Sequence, residues 1–154
     1  MSTHTATVRW KRGATDVFAQ GRYTRVHEWA FDGGAVVPAS ASPSVVPKPY
    51  SDEAAVDPEE AFIASLSSCH MLFFLDFARR GGFVVESYED RGEGILEKGE
   101  DGRMAITRVT LRPHIEWGGN KGPDDAALAE LHHKAHQACF IANSVTTKVK
   151  VEGS

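Results

Sequence analysis

The sequence predicts an α+β fold in the order β-β-β-α-β-β-α-β. Three observations carry this reading. Runs of β-branched and aromatic residues come in groups, one long apolar run opens on helix-start chemistry, and a second apolar stripe recurs at three- and four-residue steps near the end. Runs of strands followed by single helices argue for an antiparallel or mixed sheet rather than a doubly wound parallel one.

Thr5 to Trp10 and Tyr23 to Phe31 have strand-like density, and Asp32-Gly33-Gly34 is a turn signal leading into Ala35 to Ala41, so the chain opens on an antiparallel meander. Pro43, Pro47 and Pro49 exclude a helix from Ser42 to Val56 and mark an extended surface loop. Asp57-Pro58-Glu59-Glu60 then starts a helix. Asp57 caps it, Pro58 suits the first turn, and Glu60 has the capping-box spacing. From Ala61 to Ala78 apolar residues fall on nearly every face, which predicts a central helix, ended by Gly81-Gly82.

Phe83 to Glu97 and Met104 to Trp117 are strand-like runs joined through Lys98 to Arg103 as a hairpin, and Gly118 to Pro123 is a breaker. Asp124 starts a second helix that puts Leu128, Leu131, His132, Ala135 and Cys139 on one face. Ser144 to Val151 reads as the last strand.

At 154 residues, with 42% hydrophobic and 25% charged residues, the chain suits a single ordered globular domain over 1–154. A net charge of -4 and the lack of any Lys/Arg cluster that would follow a phosphate backbone argue against nucleic acid as a partner. The start of the chain is polar, and the most apolar segment, Ala61 to Leu75, is too short to cross a bilayer. The expected address is cytoplasmic, with no membrane partner.

Two cysteines in a reducing compartment are poor evidence for a structural staple, but they suit a transient catalytic bridge. Cys69 sits mid-helix in Ser65-Leu66-Ser67-Ser68-Cys69-His70, where hydroxyl residues interrupt an apolar run. A thiolate in such a site needs hydrogen bonds or a cation, whereas a packing cysteine needs no polar company. Cys139 lies about 70 positions downstream, and only the fold can bring the two Cα atoms within the ~7 Å that a disulfide requires. A rival reading makes His132, His136 and Cys139, at i, i+4 and i+7, three zinc ligands with Cys69 as the fourth. His70 follows Cys69 directly, but adjacent helical residues point ~100° apart, so an interior hydrogen-bonded role fits it better than that of a base for the thiol.

Asp57-Pro58-Glu59-Glu60, the cysteine ten positions after Glu59, and Lys134-Ala135-His136-Gln137-Ala138-Cys139 with Asn143 resemble the OsmC/Ohr family of hydroperoxide reductases. The resemblance implies an OsmC-like fold with a long central helix, forming an intertwined homodimer with sites at the subunit interface. It implies Cys69 as the peroxidatic cysteine, Cys139 as the resolving one, and Glu59 as the acid that positions an activating arginine. That arginine is Arg25, with Arg22 the next candidate, if the organic-hydroperoxide branch is the guide; the osmotically inducible branch has its arginine just before the acidic motif, where this chain has Lys48. The implied substrate is a small hydroperoxide and the reductant a dithiol, of lipoyl type, with no cofactor and no metal. The chain departs from the family pattern in having Phe140 where a proline often follows the second cysteine, and in having His70 after Cys69. Glu59 and Cys69 are separated by ~15 Å along a straight helix, too far to pair within it. Beside the peroxidase reading stands a non-catalytic binding protein that keeps the fold.

Overall fold

The computed structural model describes residues 1–119 and 121–153. The breaker read at Gly118 to Pro123 includes Asn120, which lies outside the described residues. The order is β1 (Ala6–Arg9), β2 (His27–Phe31), β3 (Val36–Ala39), α1 (Pro58–Arg80), β4 (Val84–Asp90), β5 (Glu93–Lys98), β6 (Met104–Leu111), β7 (Pro113–Gly118), α2 (Asp125–Ala138) and β8 (Lys148–Val151). The α+β class holds. The predicted order does not, because each of the two middle runs is a pair of strands.

Each break has an identifiable cause. After β4 the Asp90 carboxylate accepts the backbone N–H of Arg112 at 2.6 Å and the hydroxyl of Ser67, which ties the corner down. Gly92 follows where a Cβ would sit 3.1 Å from Ile63 Cγ2, so a larger residue would be crowded there. The second run breaks at Arg112-Pro113, where proline supplies no N–H to continue the ladder. The consequence is a change of sheet: β4 pairs with β7, and β5-β6-β8 form a separate sheet. β5 and β6 are the expected hairpin, closed by Gly99 N–H to Arg103 O at 2.8 Å and by Gly102 at φ 78°. β8 joins β6 in parallel, so this sheet is mixed.

The chain divides into two compact units, Met1–Ala61 and Phe62–Ser154. The first holds the antiparallel meander β1-β2-β3. Its long loop contains no helix, as the prolines require, but it is less extended than expected. Ser51 is buried and its hydroxyl donates to Val46 O at 2.6 Å, while Val56 pairs back onto Ala39 beside β3.

α1 starts as the sequence predicts, with Asp57 Oδ1 accepting the Glu60 N–H at 2.8 Å. It ends at Gly82, which takes φ 82°, while Phe83 N–H returns to Ala78 O at 3.0 Å. Glu59 and Glu60 in the first turn and Arg79 and Arg80 in the last complement the helix dipole. At 23 residues α1 is long and apolar enough to cross a membrane, which corrects the shorter apolar segment read from the sequence. Its role in this fold is that of a core helix: Leu66, His70, Phe74 and Ala78 form a buried stripe at four-residue steps. The expectation of cover on every face is not met within one chain, since Leu72 is 61% exposed.

The second unit has two apolar clusters. Phe74, Ala78, Ile115, Leu131 and Ala135 make one, joining α1 and α2 to the β4-β7 pair. Leu66, Val109 and Leu111 make the other, over the sheet that contains β6. α2 is capped by Asp124, whose Oδ1 accepts the Ala127 N–H at 2.8 Å, and its predicted face is the one that packs.

Phe74 is 0% exposed and its ring lies 5.7 Å from Tyr88, 6.1 Å from Trp117 and 4.5 Å from His132, centroid to centroid. Phe74→Ala is expected to destabilise the fold by about 3–5 kcal/mol. A denaturant midpoint unchanged from the parent would contradict this packing.

Candidate cysteine site

Cys69 lies half-buried in the middle of α1, and Cys139 closes α2, its backbone N–H bonded to Ala135 O at 2.9 Å. Both are free thiols. The fold brings them near enough for Cys69 to act on the Cys139 thiol, whose Sγ accepts the Ala142 N–H at 3.4 Å. Cys139 is 1% exposed. Burial first, and then the neighbouring Cys69, push its thiol up to about 11, so it stays protonated at neutral pH.

Two contacts hold the helices at this point. The residue after Cys69, His70, meets His132 through Nε2 and Nδ1 at 3.0 Å, and the residue after Cys139, Phe140, sets its ring edge-on to Phe73 at 5.0 Å. Phe140, just beyond the end of α2 and 70% exposed, thus makes an aromatic contact with α1 where the family pattern has a proline. The hydroxyl residues before Cys69 are used differently from the sequence reading. Ser65 donates to Phe62 O at 2.7 Å and Ser67 to Asp90, so these two hydroxyls are engaged elsewhere.

His70 is an interior histidine, 1% exposed, as the blander sequence reading had it. Burial, with the neighbouring His132 and His136 adding to it, lowers its pKa to about 4, and burial lowers His132 to about 4 against the opposing pull of Asp90. Both rings are therefore neutral at pH 7. Among the described residues, His70 Nδ1, His132 Nε2 and His136 Nδ1 are buried without hydrogen-bond partners. The zinc reading fails on geometry: among the described residues no three His, Cys, Asp or Glu side chains are grouped to hold a metal ion. His132 has turned its Nδ1 to His70 and stacked on Phe74, and its Nε2 faces Gly153, where an added Cβ would lie 2.4 Å away.

The remaining predicted residues belong to the first unit. Arg25 Nη1 donates to Gly21 O at 2.9 Å and to Tyr23 O at 2.6 Å, and its guanidinium lies 3.5 Å from the Tyr23 ring centroid. Val8, Trp10, Phe18 and Tyr23 line an open apolar cavity of about 480 Å³ with Arg25 and Pro58. Trp10 and Phe18 are 43% and 55% exposed, a groove that the strand reading of Thr5 to Trp10 did not predict. Aromatic residues on either side of a short turn, Phe18 and Tyr23, were its only sequence signal. Arg22 is exposed, and its backbone pairs with Val17. Lys48 pairs with Glu53 at 3.0 Å. Glu59 is half-buried in the first turn of α1, and among the described residues neither Arg25 nor Arg22 forms an ion pair with it.

The family described as OsmC-like protein matches residues 51–154. An OsmC-like protein of unknown function from Vibrio cholerae O1 biovar eltor is 51% identical over 100% of both chains, with a TM-score of 0.97. The chain belongs to the OsmC-like family. More distant structures share its fold. The organic hydroperoxide resistance protein OhrB of Bacillus subtilis is 21% identical, with a TM-score of 0.68, over 99% of this chain and 98% of its own. An organic hydroperoxide resistance protein from Elizabethkingia anophelis is 18% identical, with a TM-score of 0.74, over 100% and 96%. No curated protein matches the chain.

The lowered histidines make stability depend on pH in a defined window. Between pH 6.5 and about 4 the unfolded chain binds protons that the folded His70 and His132 refuse, so stability falls as pH falls through that range. The loss is up to about 1.4 kcal/mol per pH unit for each histidine. Urea midpoints measured from pH 7 to 4.5 are expected to decline, and His132→Gln is expected to show a shallower slope. A parent midpoint that is flat across this window would contradict the buried neutral pair.

Proposed function

We propose that this protein is a thiol-dependent hydroperoxide reductase, with Cys69 as the peroxidatic and Cys139 as the resolving cysteine. The observation that carries the proposal is the adjacency of two free thiols on two different helices, one half-exposed and the other buried and protonated. A half-exposed thiol can meet a peroxide, and a buried partner near it can close a disulfide. The proximity of both cysteines also distinguishes this reading from one in which they are separate packing residues.

The Cys69 thiolate attacks the distal oxygen of the hydroperoxide, and the O–O bond breaks as the S–O bond forms. The alcohol leaves, Cys69 is oxidised by two electrons to a sulfenic acid, and Cys139 condenses with it to a disulfide with loss of water. A dithiol reductant, of lipoyl type in keeping with the resemblance, reopens the bridge by exchange. Arg25 keeps the role of stabilising the Cys69 thiolate and orienting the peroxide, with Glu59 as its carboxylate partner, in a homodimer. Support for these last roles is the family resemblance, together with the apolar cavity around Arg25, which suits an organic substrate. The same cavity is what favours the second reading, a non-catalytic protein that binds a hydrophobic ligand.

Intact-mass and free-thiol analysis after one equivalent of an organic hydroperoxide separates the two. The expected result is rapid loss of two thiols in the parent, a trapped sulfenic acid in Cys139→Ser, and no reaction in Cys69→Ser. Thiols that stay free in the parent would leave the binding reading. Within the peroxidase reading, Arg25→Gln is expected to slow Cys69 oxidation about a hundredfold or more, and Arg22→Gln by less than threefold. The reverse order would move the activating role to Arg22.

A further inference from the structure

On the peroxidase reading, on which this inference rests, the Arg25 guanidinium has to be held in place while keeping its charge for the Cys69 thiolate. We infer that Tyr23 is the residue that positions it: the guanidinium is held on the Tyr23 ring, not by a carboxylate of its own chain.

Arg25 is held at several points. Its guanidinium lies 3.5 Å from the Tyr23 ring centroid, and Nη1 donates to Gly21 O at 2.9 Å and to Tyr23 O at 2.6 Å. Its backbone N–H donates to Tyr50 O at 2.8 Å, and its carbonyl accepts from His27 Nδ1 at 2.7 Å. The direction of this last bond follows from the next one: Trp29 Nε1–H donates to His27 Nε2 at 3.2 Å, which leaves the ring proton on Nδ1. The Tyr23 ring is itself braced. Phe18 lies 4.6 Å and Trp10 5.8 Å from it, centroid to centroid, and the Trp10 indole N–H is tied to Thr24 O at 2.8 Å.

A ring face attracts a guanidinium through its quadrupole and carries no net charge of its own. It therefore fixes the cation without cancelling its field, as a carboxylate at the same distance would. Among the described residues no Asp or Glu pairs with Arg25. Its Nη1 donors serve Gly21 and Tyr23, while Nε and Nη2 have no partner among the described residues. The cation is thus held by one face and one nitrogen, and its other N–H groups are left for a thiolate or a peroxide oxygen. A carboxylate that Glu59 brings in the homodimer meets a guanidinium already in place. Arg22 differs: it is exposed, and among the described residues no ring lies against it.

The test compares the parent with Tyr23→Leu and Tyr23→Met, which keep apolar bulk but remove the ring, with Tyr23→Phe and Arg25→Gln, and with the Tyr23→Leu/Arg25→Gln double variant. Two rates are read: single-turnover oxidation of Cys69 by an alkyl hydroperoxide, and alkylation of Cys69 by iodoacetamide across a pH series. Iodoacetamide is small and polar, so it reports the thiolate without using the apolar groove. Tyr23→Leu and Tyr23→Met are expected to slow oxidation about tenfold and to move the alkylation profile to higher pH, in the direction of Arg25→Gln. Tyr23→Phe, which returns the ring, is expected to restore both to within about twofold of the parent. The double variant is expected to be no slower than Arg25→Gln alone, since Tyr23 acts only through Arg25.

Slower oxidation with an unmoved alkylation profile would overturn the inference in favour of Tyr23 as a wall of the groove. A Tyr23→Phe as slow as Tyr23→Leu would overturn it in favour of the phenolic hydroxyl, and additive losses in the double variant would do so in favour of an independent role. Loss of the folded circular dichroism spectrum in both ring-free variants would assign Tyr23 to stability instead. Arg25→Gln at the parent rate would overturn the inference and leave the peroxidase reading intact. A parent whose Cys69 does not react with the alkyl hydroperoxide would overturn the peroxidase reading, and this inference with it.

Discussion

The candidate site depends on the apposition of α1 and α2, which brings Cys69 and Cys139 near one another. Neither helix makes the site alone, since Cys69 comes from the middle of one and Cys139 from the end of the other. The contacts beside them differ in kind: an imidazole pair at 3.0 Å on one side and two phenyl rings edge to face on the other. The buried stripe of α1, with the Phe74 and Ala78 cluster against Leu131 and Ala135, provides the apolar area that holds those contacts in place. The hydrophobic effect sets the helix spacing, and the polar and aromatic contacts set which residues face one another.

The two sheet corners serve the same arrangement. Asp90 at the end of β4 fixes the backbone of Arg112 and takes the Ser67 hydroxyl, so one carboxylate connects a strand corner to the turn of α1 just before Cys69. If the two long runs continued straight, this connection would be lost. The departure from the expected strand count is therefore part of how the helix carrying Cys69 is fixed along its length.

Much of this was legible in the sequence. Asp57, Asp124 and Gly82 gave the helix limits through local capping chemistry, and the Leu128-Leu131-His132-Ala135-Cys139 face survives intact because helical periodicity depends on near neighbours only. The strand breaks at Arg91-Gly92 and Arg112-Pro113 were harder to read, since a composition rich in β-branched residues runs up to each corner and the decisive partners are far along the chain. The proximity of Cys69 and Cys139 was out of reach for the same reason: 70 positions separate them, and only the family resemblance linked them beforehand. The zinc reading shows the opposite error. His132 and His136 have good ligand spacing along a helix, but spacing does not say which way a ring nitrogen turns, and His132 Nδ1 turns to His70.

The bond between those two rings has a tautomeric consequence. Two neutral imidazoles carry two ring protons on four nitrogens, and one of those protons occupies the bond between His70 Nε2 and His132 Nδ1. The other must then sit at one outer end. If His70 donates, His132 Nε2 carries the spare N–H; if His132 donates, His70 Nδ1 does. Among the described residues both outer atoms are buried without hydrogen-bond partners, so a spare N–H at one end goes with a bare acceptor at the other, and only their places are exchangeable. The interior of the protein thus has two proton arrangements with the same heavy-atom positions. A change in hydrogen bonding around His132, near Gly153, would be felt at His70 on the neighbouring helix without any movement of backbone or side chain.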